Sequence, residues 1–201
     1  ERDSVLFDSV QFSLPVMAAL ARAACACEGR LRVLDFGGAF GGMYRQYRAF
    51  GLPARVSWNV VEQSDFVRLG GSFENTELRF FTSIEDVLAG GLPDLVLLSS
   101  VMQYLENPFE VLRKITSSGV SHVVIDRTPC FDAENDLLTV QRVPSEIYKA
   151  SYPCWILSRP SLLRAFEQNY RMVAAFTDSA SPLRGPGVEF DLAGFLFDRK
   201  S

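Results

Sequence analysis

Residues 33–42 read Val-Leu-Asp-Phe-Gly-Gly-Ala-Phe-Gly-Gly, four glycines in six positions directly behind an apolar run. Few folds accept that order. The run over residues 31–36 fits a strand, and the glycines let the chain turn sharply through backbone angles closed to other residues. Residues up to Phe50 then fit a helix, stopped by Gly51 and Pro53. Strand, glycine turn and helix in succession open a parallel α/β unit.

The rest of the chain repeats the alternation. Leu14, Met17, Leu20, Ala21 and Ala24 predict a helix over residues 9–28. Strands are expected at 56–61, 78–81, 94–99 and 121–126, and helices at 84–89, 108–117 and 161–168. The run 94–99 is almost wholly apolar and so reads as buried on both faces. Residues 127–158 read as a long irregular stretch. Residues 170–176 and 189–198 read as a closing antiparallel pair. A length of 201 residues suits one α/β domain spanning 1–201.

Composition narrows the classes of function. Apolar residues at 48% and charged residues at 22% fit a folded, soluble protein. A net charge of −4 gives no global positive field, so no nucleic-acid partner is expected. Pro15 and Arg22 interrupt the apolar stretch 12–27, and no run is long enough to span a bilayer. The chain opens on Glu1 rather than Met, which predicts further chain ahead of it. Cys25, Cys27, Cys130 and Cys154, with His122 the single histidine, have no metal-clamp spacing. They are expected to be free thiols in a reducing cytoplasm, with no metal bound.

The glycine turn fits either a dinucleotide or S-adenosylmethionine. The pattern G-x-G-x-x-G fits badly, because Ala39 stands at its second glycine. The pattern Asp-x-Gly-x-Gly-x-Gly fits at Asp35, Gly37 and Gly41, with Ala39 its one substitution and Gly38 beside it. Asp35 would repel a pyrophosphate but favour an ammonium or sulfonium. Glu62, at the end of the strand over 56–61, is suited to accept both hydroxyls of a ribose. The competing reading is a turn without a ligand, in which Asp35 caps backbone amides and Glu62 is a solvated strand end.

At these residues the chain resembles the class I S-adenosylmethionine-dependent methyltransferases over about residues 9–199. The resemblance implies a Rossmann-like three-layer α/β/α sandwich. Its mostly parallel seven-stranded sheet would have the order 3-2-1-4-5-7-6, with strand 7 antiparallel. It also implies S-adenosylmethionine as cofactor, S-adenosylhomocysteine as product, and Ser99, Ser100 and Gln103 in the loop along the cofactor's methionine part. The family's adenine-binding acid after strand three is replaced here by Phe81-Thr82-Ser83. A closer resemblance, carried by Ser100-Val101-Met102-Gln103-Tyr104-Leu105, Ile125-Asp126-Arg127-Thr128-Pro129 and Tyr152-Pro153-Cys154-Trp155, is to a bacterial subfamily. Some of its members are associated with surface-polysaccharide gene clusters.

The acceptor is therefore expected to be a small molecule, such as a saccharide or its precursor. Residues 127–158 leave the carboxyl end of the fifth strand, the edge where open α/β sheets bind ligands. They are expected to form a lid over the acceptor, with Tyr148, Tyr152 and Trp155 as contacts. The bland alternative is a satellite core. Asp126 is the candidate base and Arg127 the candidate anion binder, the alternative being a structural ion pair between them. Two other activities suit the same fold: another alkyl transfer, and a silent cofactor-binding module. The sequence assigns no oligomeric state.

Overall fold

In the computed structural model the described residues are 8, 10–27, 29–52, 55–147, 149–185 and 187–201. β1 (Arg30–Phe36) lies inside the sheet. It pairs in parallel with β2 (Arg55–Val61) on one side and β4 (Leu95–Ser99) on the other. β3 (Leu78–Phe81) continues the parallel set beyond β2, and β5 (His122–Phe131) beyond β4. β8 (Tyr170–Thr177) and β10 (Val188–Arg199) complete the order β3-β2-β1-β4-β5-β10-β8. β10 runs antiparallel to both its neighbours. With β10 and β8 in the last two places, this is the order expected from the sequence.

Successive residues of the central strands feed two cores. Leu31, Val33, Trp58 and Leu97 pack with α1 (Leu14–Ala26) and with Tyr47 of α2 (Gly42–Phe50). Leu34, Val96, Leu98 and Ile125 face the other way. They meet α4 (Ile84–Ala89), α5 (Pro108–Ser118) and α6 (Arg159–Glu167). A short α3 (Ser64–Gly70), which the sequence reading left out, sends Val67 to the first core. The result is the expected three layers. Among the described residues no helix is long and apolar enough to cross a membrane. The four cysteines are free thiols.

Among the described residues the sheet has ten strands, not seven. The stretch expected to be irregular holds a hairpin, β6 (Leu137–Arg142) antiparallel to β7 (Ser151–Ser158). The end of β7 pairs in parallel with the extended end of β5, Cys130 opposite Leu157. A three-residue β9 (Leu183–Gly185) pairs with the start of β10. β5 runs on past its expected end at Asp126 because β10 continues to pair with it. Ala193 lies opposite Thr128 and Phe195 opposite Ile125, so Asp126 and Arg127 share one partner position. That β-bulge is where Arg127 takes φ +52°.

Candidate active site

The turn behind β1 is built on two glycines that no other residue could replace in place. A Cβ on Gly37 would stand 2.4 Å from Cγ2 of Val101, and one on Gly38 2.4 Å from Oδ2 of Asp35. Gly37 also holds φ +74° while its N–H donates to the Val61 carbonyl at 2.9 Å. Asp35 is thus sealed beneath the turn, 1% exposed, and accepts the Trp58 indole N–H at 2.9 Å. Burial pushes its carboxyl up to about 7, against the Trp58 hydrogen bond, and the charge of Glu62 adds to the rise.

Glu62 follows β2 and reaches across to the turn. Its Oε1 accepts the Ala39 N–H at 3.1 Å and its Oε2 the Gln63 N–H at 2.9 Å. Ala39 holds φ +46° there. Each carboxylate oxygen can accept a second bond, so Glu62 can hold the turn and still receive a ligand's hydroxyls. Two acids at one strand edge, fed by an indole and backbone amides, favour a ligand bearing positive charge over a pyrophosphate.

β4 and β5 bring the second group together at the same edge. Ser99 donates its hydroxyl to Oδ2 of Asp126 at 2.7 Å. The Ser100 N–H donates to the Asp126 carbonyl at 3.0 Å, with Ser100 at φ +53°. Arg127 donates Nε–H to the Ser100 hydroxyl at 3.4 Å and pairs with Asp178, just beyond β8. Gln103, in a single 3-10 turn over Met102–Tyr104, is buried, and its Oε1 has no hydrogen-bond partner.

A cavity of about 400 Å³ opens beside Ser100 and Gln103. Arg127 and Pro129 of β5 form one wall. Val140 and Gln141 of β6 and Ile156 of β7 form the next, and Leu183, Phe190 and Leu192 close it. Tyr152 reaches this wall indirectly: it packs edge-on against Tyr104, 5.4 Å between ring centroids, and Tyr104 donates its hydroxyl to Gln141 at 3.1 Å. Trp155 turns away from the cavity lining. Its indole donates to the Leu105 carbonyl at 3.0 Å and its ring packs against the core. Tyr148 lies outside the described residues. His122 stands at the other end of β5, on Asp198.

No protein-family model matches the chain, and no curated protein matches it in sequence. Solved structures do. An S-adenosylmethionine-dependent methyltransferase from Mesorhizobium loti superposes with TM-score 0.59 at 13% identity, over 92% of this chain and 96% of that one. The N-terminal domain of EvdMO1 with S-adenosylhomocysteine bound gives 0.57 at 16% identity, over 92% and 81%. The 1,6-didemethyltoxoflavin-N1-methyltransferase of Burkholderia thailandensis, bound to 1,6-didemethyltoxoflavin and S-adenosylhomocysteine, gives 0.55 at 14%, over 92% and 77%. The chain has the fold of the S-adenosylmethionine-dependent methyltransferases.

Within this methyltransferase fold, Asp35, Gly37, Gly38, Ala39, Gly41 and Glu62 gather at the ends of β1 and β2. Ser99, Ser100, Gln103, Asp126 and Arg127 gather at the ends of β4 and β5. Sequence reasoning missed the far wall, above all Val140, Leu183, Phe190 and Leu192. Val140 lies within the stretch 127–158 expected to form a lid, and Phe190 and Leu192 within the strand expected over 189–198, but nothing local in the sequence joins them.

Proposed function

We propose that this protein binds S-adenosylmethionine at the turn over residues 37–42 and methylates a small molecule held in the cavity beside Gln103. The observation that carries the reading is the placement of two carboxylates, Asp35 and Glu62, at the same sheet edge as that cavity. Bound there, the cofactor would supply a sulfonium-activated methyl group and leave as S-adenosylhomocysteine. Asp35 favours the cationic end, and Glu62 receives the ribose hydroxyls. Ser99, Ser100 and Gln103 line the path between cofactor and acceptor.

Displacement at a sulfonium needs alignment and exclusion of water more than it needs a base. The β6–β7 hairpin and the β9–β10 corner supply the enclosure, so the described part of residues 127–158 serves as a wall and lid over the acceptor, with Tyr152 beside it through Tyr104; Tyr148 and Trp155 remain proposed acceptor contacts to be tested by substitution. Asp126 orients Ser99 and is the candidate to take a proton through the Ser99 hydroxyl that it accepts; Arg127 orients Ser100. Cys154 is unsuited to be the base, since burial raises its thiol pKa. All of this works within one domain over 1–201, in a reducing cytoplasm. The saccharide acceptor suggested by the bacterial subfamily enters as one of the classes to be tried.

The test is thermal. S-adenosylmethionine and S-adenosylhomocysteine should each raise the melting temperature, since a ligand that binds the folded state alone stabilises it by mass action. NAD should not. Labelled methyl from S-adenosylmethionine should then appear in the small-molecule fraction of a bacterial extract. Stabilisation by NAD and by neither adenosyl compound sinks the proposal.

A further inference from the structure

Among the described residues four strands, β3, β6, β8 and β9, each pair with one other strand, so each turns an edge outward. Three of these edges are blunted. On β3, Asn75 takes the Leu78 N–H at 3.0 Å and Glu74 the Phe80 N–H at 3.0 Å. β8 is bulged, since Ala174 and Met172 lie opposite the consecutive residues Leu196 and Phe197. β9 has three residues. Covering, bulging and shortness all keep a sheet edge from pairing with another chain.

β6 has none of these protections. Its six residues pair with β7 in unbroken register, from Leu137 opposite Ile156 to Arg142 opposite Ser151. It contains no proline and no lysine. Among the described residues only β7 bonds to its backbone. Leu138 and Val140 are 53% and 65% exposed. Arg142 is exposed and makes no ion pair with a described residue. An edge of this kind is a template for a further strand.

The sequence around β6 is complementary to itself. Residues 136–142 read Asp-Leu-Leu-Thr-Val-Gln-Arg. Two antiparallel copies related by a two-fold axis at Thr139 would set Asp136 opposite Arg142, Leu137 opposite Gln141 and Leu138 opposite Val140. The members of each pair are an even number of residues apart, so both point to the same face of the joined sheet. Opposite charges and apolar pairs set directly across from each other are the contacts that stabilise antiparallel strands. Moving the axis one residue either way would put Leu138 opposite Arg142, or Val140 opposite Asp136. Asp136 is held in place at the head of β6, where its Oδ1 takes the Ser158 N–H at 2.7 Å.

We propose that β6 is an interface between two copies of this chain, pairing antiparallel with β6 of the second copy about a two-fold axis at Thr139. Such an interface is isologous and closes as a dimer. Thr139, Val140 and Gln141 also wall the cavity, so the second copy would lie along its rim. The inference goes beyond the methyl-transfer reading and does not rest on it.

Sedimentation of the unmodified protein between about 5 and 500 μM should show a monomer–dimer equilibrium, because one short strand pair is a small interface and binds weakly. Val140→Lys and Leu138→Glu should each weaken association by about tenfold or more, with little change in melting temperature, since both positions are exposed. Mixed in equal amounts, the two variants should associate at least about threefold more tightly than either does with itself. In the mixed pair the introduced lysine faces the introduced glutamate, and Leu138 faces Val140. A protein monomeric throughout this range, a dimer indifferent to Val140→Lys, or a mixture no tighter than its components would each overturn the proposal. If a variant fails to fold, amide hydrogen exchange in the unmodified protein decides. Protection across β6 should rise with protein concentration while that across β8 stays constant; exchange at β6 independent of concentration would overturn the pairing.

Discussion

Ala39, Ser100 and Arg127 are the non-glycine residues, among those described, with positive φ: +46°, +53° and +52°. They stand at β1, β4 and β5, neighbours in the sheet, and all at one edge. Each such conformation costs about 1 kcal/mol or more. The surroundings hold all three: Glu62 takes the Ala39 N–H, the Asp126 carbonyl takes the Ser100 N–H, and Asp178 takes the Arg127 guanidinium. Strain kept behind β1, behind β4 and at the bulge within β5, side by side, suits a preformed ligand edge. On the proposed function Glu62 has two jobs, of which the grip on the Ala39 and Gln63 amides is the one seen without ligand. Removing it in Glu62→Ala should lower ligand-free stability by about 1 kcal/mol, since two backbone amides lose an ionised acceptor. It should also weaken S-adenosylhomocysteine binding by roughly 1.5–3 kcal/mol, the scale of hydrogen bonds to a charged group. Melting curves read the first effect and calorimetric titration the second. Unchanged affinity would remove Glu62 from the ribose role while leaving its grip on Ala39 intact.

The β6–β7 hairpin separates residues that look equivalent in sequence. Trp155 is tied to the Leu105 carbonyl and packed on the core, whereas Tyr152 leans on Tyr104 at the cavity. Trp155→Ala should thus cost about 3–5 kcal/mol of stability, the scale for emptying a large aromatic site, whatever it does to activity. Tyr152→Ala should cost little stability, lower methyl transfer several-fold and leave S-adenosylhomocysteine affinity within about twofold. Melting curves with labelled-methyl assays check both; full activity in Tyr152→Ala would detach that ring from acceptor binding. β4 was legible because burial on both faces writes an unbroken apolar run, and β1 and β2 because apolar residues dominate them despite Arg32, Asp35, Ser57 and Asn59. β6 was not: Leu137, Leu138 and Val140 are exposed, so its pattern carries no core signal. The two carboxylates were legible as well, since Asp35 and Glu62 sit at fixed offsets from runs that could be read. The far cavity wall depends on β10 pairing with β5 through a bulge, and no local pattern announces that pairing.

Two buried acids at opposite ends of the sheet set how the whole molecule responds to pH. At the amino-terminal end of β5, Asp198 joins four elements: Arg22 of α1 donates to it at 2.7 and 2.6 Å, His122 of β5 lies at 2.8 Å, and Arg171 of β8 at 3.5 Å. Burial alone would raise its pKa, but the bonds from Arg22 and His122 prevail and hold it below the usual carboxylate value. Its contribution is present above about pH 4 and lost as the pH falls through its lowered value. Asp35 acts in the opposite sense. Its carboxyl is pushed up to about 7 from 3.8, so the folded state binds the extra proton between those values, and stability falls as the pH rises through them. About three units at 1.36 kcal/mol each sets an upper scale of about 4 kcal/mol. The ligand-free protein should therefore be more stable near pH 5 than near pH 8, against the expectation for a chain whose acids are all paired. Asp35→Asn keeps the size of the side chain and an acceptor for Trp58 while removing the titration. It should flatten the slope between about pH 5 and 8 and make the ligand-free protein more stable at the alkaline end. The same variant should bind S-adenosylmethionine more weakly there, because it no longer offers a charge to the ammonium or sulfonium. In the unmodified protein, cofactor binding should tighten as the pH rises toward 8 and release protons, measurable as a buffer-dependent heat. Identical slopes in chemical denaturation of Asp35→Asn and the unmodified protein over this range would show that Asp35 is not the group holding the proton.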